Sequence, residues 1–185
     1  MFDIIKLMKK VLLIILKLVL LPITIILSVF KFFMWIFTKK KIHKYLSNVT
    51  ISDIDAISGF DFEEVLVYIF KYFGYKTKLT KKSGDYGVDL FAMERKIKYC
   101  IQAKLYYNHS VGSNAIQQIN TAKNYFNSDF AVVVTNAKYS KQALDMANKL
   151  KVILIDRTDL IKILNAYKSG KKKFLKKLLE EKKNV

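Results

Sequence analysis

Residues 84–105 read GDYGVDLFAMERKIKYCIQAKL, and this stretch decides the fold of the chain. Apolar residues recur on both sides of the short polar turn Glu94–Lys96, which is the pattern of a β-hairpin. We therefore predict a strand over Val88–Met93 and its returning partner over Ile97–Leu105. The glycine-rich and lysine-rich residues 81–87 before the hairpin are typical of a turn.

Three polar side chains interrupt these apolar strands. Asp89 stands between Val88 and Leu90, and regular alternation would point its carboxylate away from both neighbours. Gln102 and Lys104 are two residues apart, so they share one face of their strand. If the hairpin pairs with these faces matched, a carboxylate, an amide oxygen and an ammonium converge. Such a group suits a divalent cation with oxygen ligands and a phosphate held by the lysine, although a satisfied polar edge of a sheet has the same spacing.

The flanking sequence supplies helices and buried strands. Phe60–Phe73 carries apolar residues at helical spacing, and Gly74 is placed to end that helix. The order α-β-β-β-α-β-α-β-α predicts an α/β protein with a mixed sheet between helices. The remaining elements are predicted at Tyr75–Thr80 (strand), Gly112–Phe126 (helix), Phe130–Thr135 (strand), Ser140–Leu150 (helix), Val152–Ile155 (strand) and Thr158–Tyr167 (helix).

Charge and hydrophobicity are distributed unevenly along the chain. The 185 residues are 52% hydrophobic and carry a formal net charge of +18. Residues 1–50 contribute +8, residues 51–165 contribute +4, and residues 166–185 contribute +6. The apolar content excludes intrinsic disorder. A single cysteine excludes a disulfide framework and a multi-cysteine zinc site.

The hydrophobic excess lies near the N-terminus. Residues 11–37 read VLLIILKLVLLPITIILSVFKFFMWIF, with only Lys17 and Lys31 charged. A helix of that length, at 1.5 Å per residue, exceeds the roughly 30 Å hydrocarbon core of a bilayer. We predict a transmembrane anchor helix with basic flanks over residues 1–38, in contact with membrane lipid through 11–37, and a linker over 39–58.

Two alternatives to this anchor remain open. A cleavable signal peptide is disfavoured because residues 39–41 are lysines and no small-residue cleavage site follows the apolar run. A re-entrant hairpin bent at Pro22 would leave each arm short for spanning. The lysine counts on the two flanks mildly favour a single-pass protein with its C-terminal part in the cytoplasm.

The tail, residues 168–185, is predicted to be a basic helix. Its apolar residues Phe174, Leu175, Leu178 and Leu179 fall on one face. That face could lie on anionic lipid or nucleic acid. A terminal helix whose apolar face meets only solvent fits the sequence equally well.

The ordered motifs resemble one family. The segments GFDFEEVL, GYKTKLTKKSGDYGVDLF, YCIQAKLYY, VGSNAIQQINTAKNYF and FAVVVTNAKYSKQALDMANKLKVILIDRTDL follow each other between about Gly59 and Leu164. Together they resemble the Mrr-type catalytic domain of the restriction-endonuclease-like, or PD-(D/E)xK, nucleases. The resemblance implies an α/β/α sandwich over residues 59–167, DNA as partner, Mg²⁺ or Mn²⁺ as cofactor, and hydrolysis of phosphodiester bonds.

The resemblance also assigns residues to roles by position. It implies Asp89 as the central metal ligand, Gln102 as the second motif position and a metal ligand, and Lys104 as the catalytic lysine. Glu63 is the implied supporting acid and further metal ligand, with its neighbour Glu64 as a substitute. Three polar groups are expected near the site: Asp85, Tyr106 and Gln117.

These expectations combine into a membrane-anchored, divalent-metal-dependent DNA endonuclease of restriction type, with its catalytic domain in the cytoplasm and a homodimer as one expected partner. Two alternatives use the same fold. One is a non-catalytic membrane tether for DNA, and the other is a structure-specific resolvase that cuts four-way junctions. The sequence before residue 59 leaves no room for a separate DNA-reading domain, so sequence and modification specificity stay open.

Overall fold

The computed structural model describes Lys6, Leu21, residues 42–80 and residues 86–183. The chain divides into two compact units, Met1–Tyr45 and Leu46–Val185. The predicted membrane span, residues 11–37, lies outside the described residues apart from Leu21. Among the residues that are described, no helix combines the length and hydropathy that a bilayer crossing needs. The anchor therefore stays a prediction.

Strands in the described part of the chain form one five-stranded mixed sheet, as predicted. Its spatial order follows the sequence, β1-β2-β3-β4-β5. The pairs β1–β2 and β2–β3 are antiparallel, whereas β3–β4 and β4–β5 are parallel. The strands are Lys76–Leu79 (β1), Leu90–Glu94 (β2), Ile97–Lys104 (β3), Phe130–Thr135 (β4) and Ile153–Ile155 (β5).

The helices and strands follow one another in the predicted order, the predicted helix of the C-terminal tail is present, and the short helix Ile51–Asp55 lies in the segment predicted as a linker. Ser58, Ser140 and Asp156 cap three of the helices by accepting hydrogen bonds from backbone amides of the first turn. The helices are Ile51–Asp55 (α1), Gly59–Tyr72 (α2), Ser113–Tyr125 (α3), Lys141–Leu150 (α4), Arg157–Lys168 (α5) and Phe174–Lys183 (α6).

The helices cover both faces of the sheet. Cys100 and Val133 belong to a buried cluster with Ile116 of α3 and Ala143 of α4. Tyr99 is adjacent to Cys100 on β3, so its side chain points to the other face. There it packs edge-on against Tyr75, which in turn packs against Phe70 of α2. The sheet is thus the middle layer of an α/β/α arrangement.

Strand β4 illustrates why the prediction of buried strands succeeded. Its sequence FAVVVT is apolar without alternation, and Ala131 through Thr135 are all buried. The helix end at Gly74 is also confirmed. Gly74 has a φ of +96°, a left-handed conformation that glycine adopts without the Cβ clash of other residues.

The C-terminal tail differs from both predictions made for it. Helix α6 buries Leu175, Leu178 and Leu179 within its own unit. Lys176 pairs with Glu94 at 2.8 Å, and Lys182 pairs with Asp159 at 2.7 Å. The apolar face that was expected to meet lipid, nucleic acid or solvent is covered by the domain itself. Similarly, the segment predicted as a linker contains α1, whose Ile54 is fully buried.

Candidate active site

Three predicted site residues lie at one edge of the sheet or close to it. Strands β3 and β4 are parallel, and Lys104 at the end of β3 is in register with Thr135 at the end of β4. Strand β2 runs the other way, so Asp89, just before Leu90, lies at the same edge. Gln102 lies two residues inside this edge on β3. The sheet therefore places Asp89, Gln102 and Lys104 near the same edge.

The chain makes a β-bulge at Asp89. The registered partner of Ile101 is Leu90, yet the amide of Asp89 also donates to the carbonyl oxygen of Ile101, at 2.9 Å. Two residues of one strand thus oppose one residue of the other. Val88 packs in the cluster with Cys100, whereas Leu90 faces the side of Ile101. The prediction that Asp89 points away from both neighbours is therefore wrong, because the extra residue breaks the alternation.

The Asp89 carboxylate is fixed to the opposite strand. Its Oδ2 accepts a hydrogen bond from the backbone amide of Ala103 at 2.6 Å. The hydroxyl of Thr80 donates to the carbonyl oxygens of Val88 at 2.5 Å and Asp89 at 3.0 Å. These bonds hold the half-buried carboxylate in one position at the sheet edge. The backbone amide of Asp89 bonds to Ile101 and its carboxylate bonds to Ala103, and these two β3 residues flank Gln102 in the sequence.

The Gln102 side chain is buried but incompletely paired. Only 1% of Gln102 is exposed, and its Nε2 donates to Oε1 of Gln118 at 3.2 Å. Within the described residues, its Oε1 has no hydrogen-bond partner. Buried polar atoms are rarely left in this state, because an unmade hydrogen bond costs about 1–3 kcal/mol. An unpaired acceptor beside a carboxylate is suited to a cation.

Gly87 permits this packing. A Cβ at this position would lie 2.7 Å from Nε2 of Gln102 and 3.4 Å from Oε1 of Gln118. The φ of Gly87 is +82°, which also favours glycine. The glycine that precedes the aspartate in the sequence therefore lets the loop approach the Gln102 amide closely.

The remaining acids of the predicted site are Glu63 and Asp85. Glu63 is half-buried in the second turn of α2, a helix that packs across β1, β2 and β3. Asp85 lies outside the described residues. Within the described part of the chain, no three His, Cys, Asp or Glu side chains form a group that could hold a metal ion. The roles of both residues stay predictions.

The two other expected near-site residues are placed differently. Gln117 is exposed on α3 and points away from the sheet, whereas its neighbour Gln118 contacts Gln102. Helical spacing from the buried residues Ala115 and Ala122 would have selected Gln118. The contribution of Tyr106 is through its backbone, since its amide and carbonyl both bond to the Asn136 side chain, at 2.8 and 3.0 Å.

An ion-pair clamp beside the site was not foreseen. Arg157 forms two hydrogen bonds of 2.7 Å to the carboxylate of Asp55 and a third, of 2.9 Å, to the carbonyl oxygen of Asn136. The side chain of Asn136, only 2% exposed, also donates to Asp55 at 2.8 Å. The Arg157 guanidinium lowers the pKa of Asp55 from its usual range. The clamp joins α1, the end of β4 and the start of α5 directly beside Thr135.

Solved structures resemble this fold. The DNA modification-dependent restriction endonuclease AspBHI matches with a TM-score of 0.51 and 18% identity, over 70% of this chain and 36% of that chain. The MspJI restriction endonuclease in complex with a 27-mer oligonucleotide matches with a TM-score of 0.47 and 20% identity, over 80% and 35%. A protein of unknown function, AF1548, gives a TM-score of 0.48 and 15% identity, over 54% and 58%. This chain spans about a third of the two restriction enzymes and under two thirds of the third protein.

The sequence comparison agrees with the fold. No curated protein matches the chain. A family model described as restriction endonuclease, Mrr_cat, matches residues 54–164, more than half of the 185 residues. The match includes Glu63, Asp89, Gln102 and Lys104, and the likeness to AspBHI supports the restriction-endonuclease-like α/β fold. The chain therefore belongs to the Mrr_cat family of restriction endonucleases.

Proposed function

We propose that this protein is a divalent-metal-dependent endonuclease that hydrolyses phosphodiester bonds of DNA. The observation that carries the proposal is the buried, unpaired Oε1 of Gln102, which lies between the two β3 residues bonded by Asp89. Three other buried polar atoms, on Tyr75, Thr77 and Ser128, also lack a partner among the described residues, but of the four residues only Gln102 stands between two residues bonded by Asp89. Family membership supplies the reaction class.

The donor set fits Mg²⁺ or Mn²⁺. Both ions take oxygen ligands, and Mg²⁺ commonly binds through one or two carboxylates with waters and substrate phosphate. Asp89, Gln102 and Glu63 would hold the ion, and the acceptor of Gln102 would then gain a partner. When bound, the ion offsets negative charge on the phosphate and lowers the pKa of its bound water.

Besides the metal ion, the Lys104 ammonium group supplies positive charge at this edge of the sheet. It is half-buried, and no ion pair is found for it among the described residues. Lys104 is the last residue of β3 and pairs with the buried Thr135, the last residue of the parallel strand β4. Thr135 in turn precedes Asn136 of the Arg157 clamp. We propose that its ammonium binds a non-bridging phosphate oxygen and stabilises the charge that develops there during hydrolysis.

Asp89 has a second role that follows from its hydrogen bond. Because the Ala103 amide holds Oδ2, the carboxylate needs no reorganisation when substrate arrives. Such preorganisation is where enzymes gain much of their electrostatic stabilisation. The neighbouring Gln102 and Lys104 are carried on the same rigid strand, so all three groups keep their spacing.

We further propose that residues 1–38 anchor the domain to a membrane, with the catalytic part on the cytoplasmic side. The support is the apolar stretch 11–37 and its flanking lysines. A full-length protein with this anchor sediments with membranes and stays there after high-salt washing. Release by high salt would instead indicate peripheral, electrostatic attachment.

The nuclease proposal is tested with the full-length protein in non-ionic detergent and supercoiled plasmid DNA. Conversion to nicked or linear DNA is expected with Mg²⁺ or Mn²⁺ and is expected to stop with EDTA. Lys104→Met, which keeps the length of the side chain without its charge, should lower the cleavage rate by at least about tenfold. Cleavage that persists in EDTA, or that is unaffected in Lys104→Met, would contradict the proposed mechanism.

A further inference from the structure

Two tyrosines form an exposed aromatic pair, one shortly before Asp89 in the sequence and the other at the end of α3. Tyr86 is 53% exposed and Tyr125 is 62% exposed, yet their ring centroids are only 4.5 Å apart, with planes inclined by 42°. Hydrogen bonding with Tyr125 raises the pKa of the Tyr86 hydroxyl. We call this pair the tyrosine platform.

The tyrosine platform rests on a partly buried aromatic base. Phe126 lies 6.1 Å from the Tyr86 ring and 4.9 Å from the Tyr125 ring, and it packs edge-on against Phe91 at 5.2 Å. Phe91 and Phe126 both pack on the core cluster. Lys98 donates to the carbonyl oxygen of Phe126 at 2.7 Å and lies over the Phe91 ring. The exposed rings are therefore supported from below by fixed neighbours.

Both segments that carry the tyrosine platform, the turn before β2 and helix α3, also contribute to the site. Tyr86 stands three residues before Asp89, and Phe91 stands two residues after it. On α3, Gln118 contacts Gln102, and Tyr125 lies seven residues further along the same helix. At 1.5 Å per residue this is about 10 Å, or roughly three base steps of DNA at 3.4 Å each.

We propose that the tyrosine platform binds an unpaired nucleobase of the DNA substrate by stacking, within about three nucleotides of the phosphate that is cut. This inference rests on the proposed nuclease function and extends it to a class of substrate. More than half of each side chain remains exposed, and stacking of a base on such rings is worth about 1–3 kcal/mol. Bases inside a duplex have both faces covered, so an unpaired or extruded base is the partner that offers a free face.

The experiment uses full-length protein carrying Asp89→Ala, so that binding is measured without cleavage. Three DNA ligands of 20 nucleotides per strand are compared. They are a perfect duplex, a duplex with one bulged 2-aminopurine, and a single strand that contains 2-aminopurine. Fluorescence anisotropy gives the affinity and 2-aminopurine emission reports stacking. Tyr86→Ala/Tyr125→Ala is compared with Tyr86→Phe/Tyr125→Phe, which keeps the rings, and with Leu144→Ala, which removes apolar surface that is 45% exposed on α4.

The parent protein is expected to bind the bulged DNA more tightly than the perfect duplex and to quench its 2-aminopurine. The double alanine variant should bind bulged and single-stranded DNA about tenfold more weakly, with the quenching lost and duplex affinity unchanged. The double phenylalanine and Leu144→Ala variants should match the parent. Equal affinity of the parent for all three DNAs, or an equal loss on all three in the alanine variant, overturns the stacking proposal only. Failure of the Asp89→Ala protein to bind any DNA overturns both proposals, whereas plasmid cleavage by the wild-type protein together with equal affinity for the three DNAs overturns the stacking proposal alone.

Discussion

The carboxylate of Asp89, at the bulge just before β2, accepts a hydrogen bond of 2.6 Å from the backbone amide of Ala103 on β3. The Asp89 side chain therefore has two roles: it stabilises the pairing with β3, and it is a proposed ligand of the metal ion. Because asparagine keeps an acceptor oxygen at that position and alanine does not, the two roles are separable by mutation.

We predict that Asp89→Ala lowers the free energy of unfolding by about 1–2 kcal/mol, since the Ala103 amide loses its acceptor. Asp89→Asn should stay within about 0.5 kcal/mol of the parent. Both variants should lose cleavage, because neither has the negative charge. Urea unfolding followed by circular dichroism measures the first effect. Equal stability of the two variants would show that the hydrogen bond contributes little.

Gly87→Ala should disturb the site from the loop side. The added Cβ would meet Nε2 of Gln102 at 2.7 Å, and a φ of +82° is strained for alanine. We expect a loss of about 1–3 kcal/mol in the free energy of unfolding and a large fall in cleavage. Gly59→Ala is the matched control, since nothing lies within 4 Å of the new Cβ in the first turn of α2. The control should be neutral or slightly stabilising, and a comparable loss in both variants would contradict the role given to Gly87.

Gln102→Met should make the protein more stable and less active. Methionine fills the buried space without the orphaned Oε1, which removes an unmade hydrogen bond worth about 1 kcal/mol. The parent protein should gain thermal stability when Mg²⁺ or Mn²⁺ is added, and this gain should shrink in the variant. A thermal melt with and without metal checks both statements. An unchanged metal-induced shift would remove Gln102 from the proposed ligand set.

The Asp55–Arg157 clamp should contribute stability that depends on pH. Arg157 lowers the pKa of Asp55 in the folded protein, so its contribution is complete above the unfolded pKa of about 3.9 and disappears as the pH falls through the lowered value. Because both side chains are about one third exposed, we expect Arg157→Met to lower the free energy of unfolding at pH 7 by only about 1 kcal/mol. The difference from the parent should shrink below about pH 4 in urea titrations. A difference that is constant from pH 7 to pH 3 would assign the effect to packing instead of charge.

Some features of the fold follow directly from local sequence. The bounds of β4 were predicted because FAVVVT is apolar at every position, and the helix end at Gly74 because of glycine itself. The pairing of the Asp89 and Gln102 strands followed from the short turn at Glu94–Lys96. In each case the deciding interactions lie within a few residues of the sequence.

Other features depend on contacts that local patterns do not encode. The clamp joins Asp55 to Arg157 across 102 positions, and no periodicity links them. The bulge at Asp89 is an irregularity that strict alternation excludes. The burial of Leu175 and Leu179 depends on an uncovered face of the folded domain, so the tail sequence was equally compatible with a membrane, a nucleic acid or solvent. The spacing of the buried residues of α3 favours Gln118 as the glutamine near the site, whereas the resemblance points to its neighbour Gln117.

The most direct measurement is cleavage of supercoiled plasmid by the full-length protein and by its Asp89→Asn variant, at equal concentration, with Mg²⁺ and with EDTA. The proposed site predicts metal-dependent nicking or linearisation by the parent and a loss of at least about a hundredfold in a variant that remains folded. Cleavage by the Asp89→Asn protein at the parental rate, or absence of cleavage by the parent with either Mg²⁺ or Mn²⁺ on methylated and unmodified DNA alike, would contradict the account.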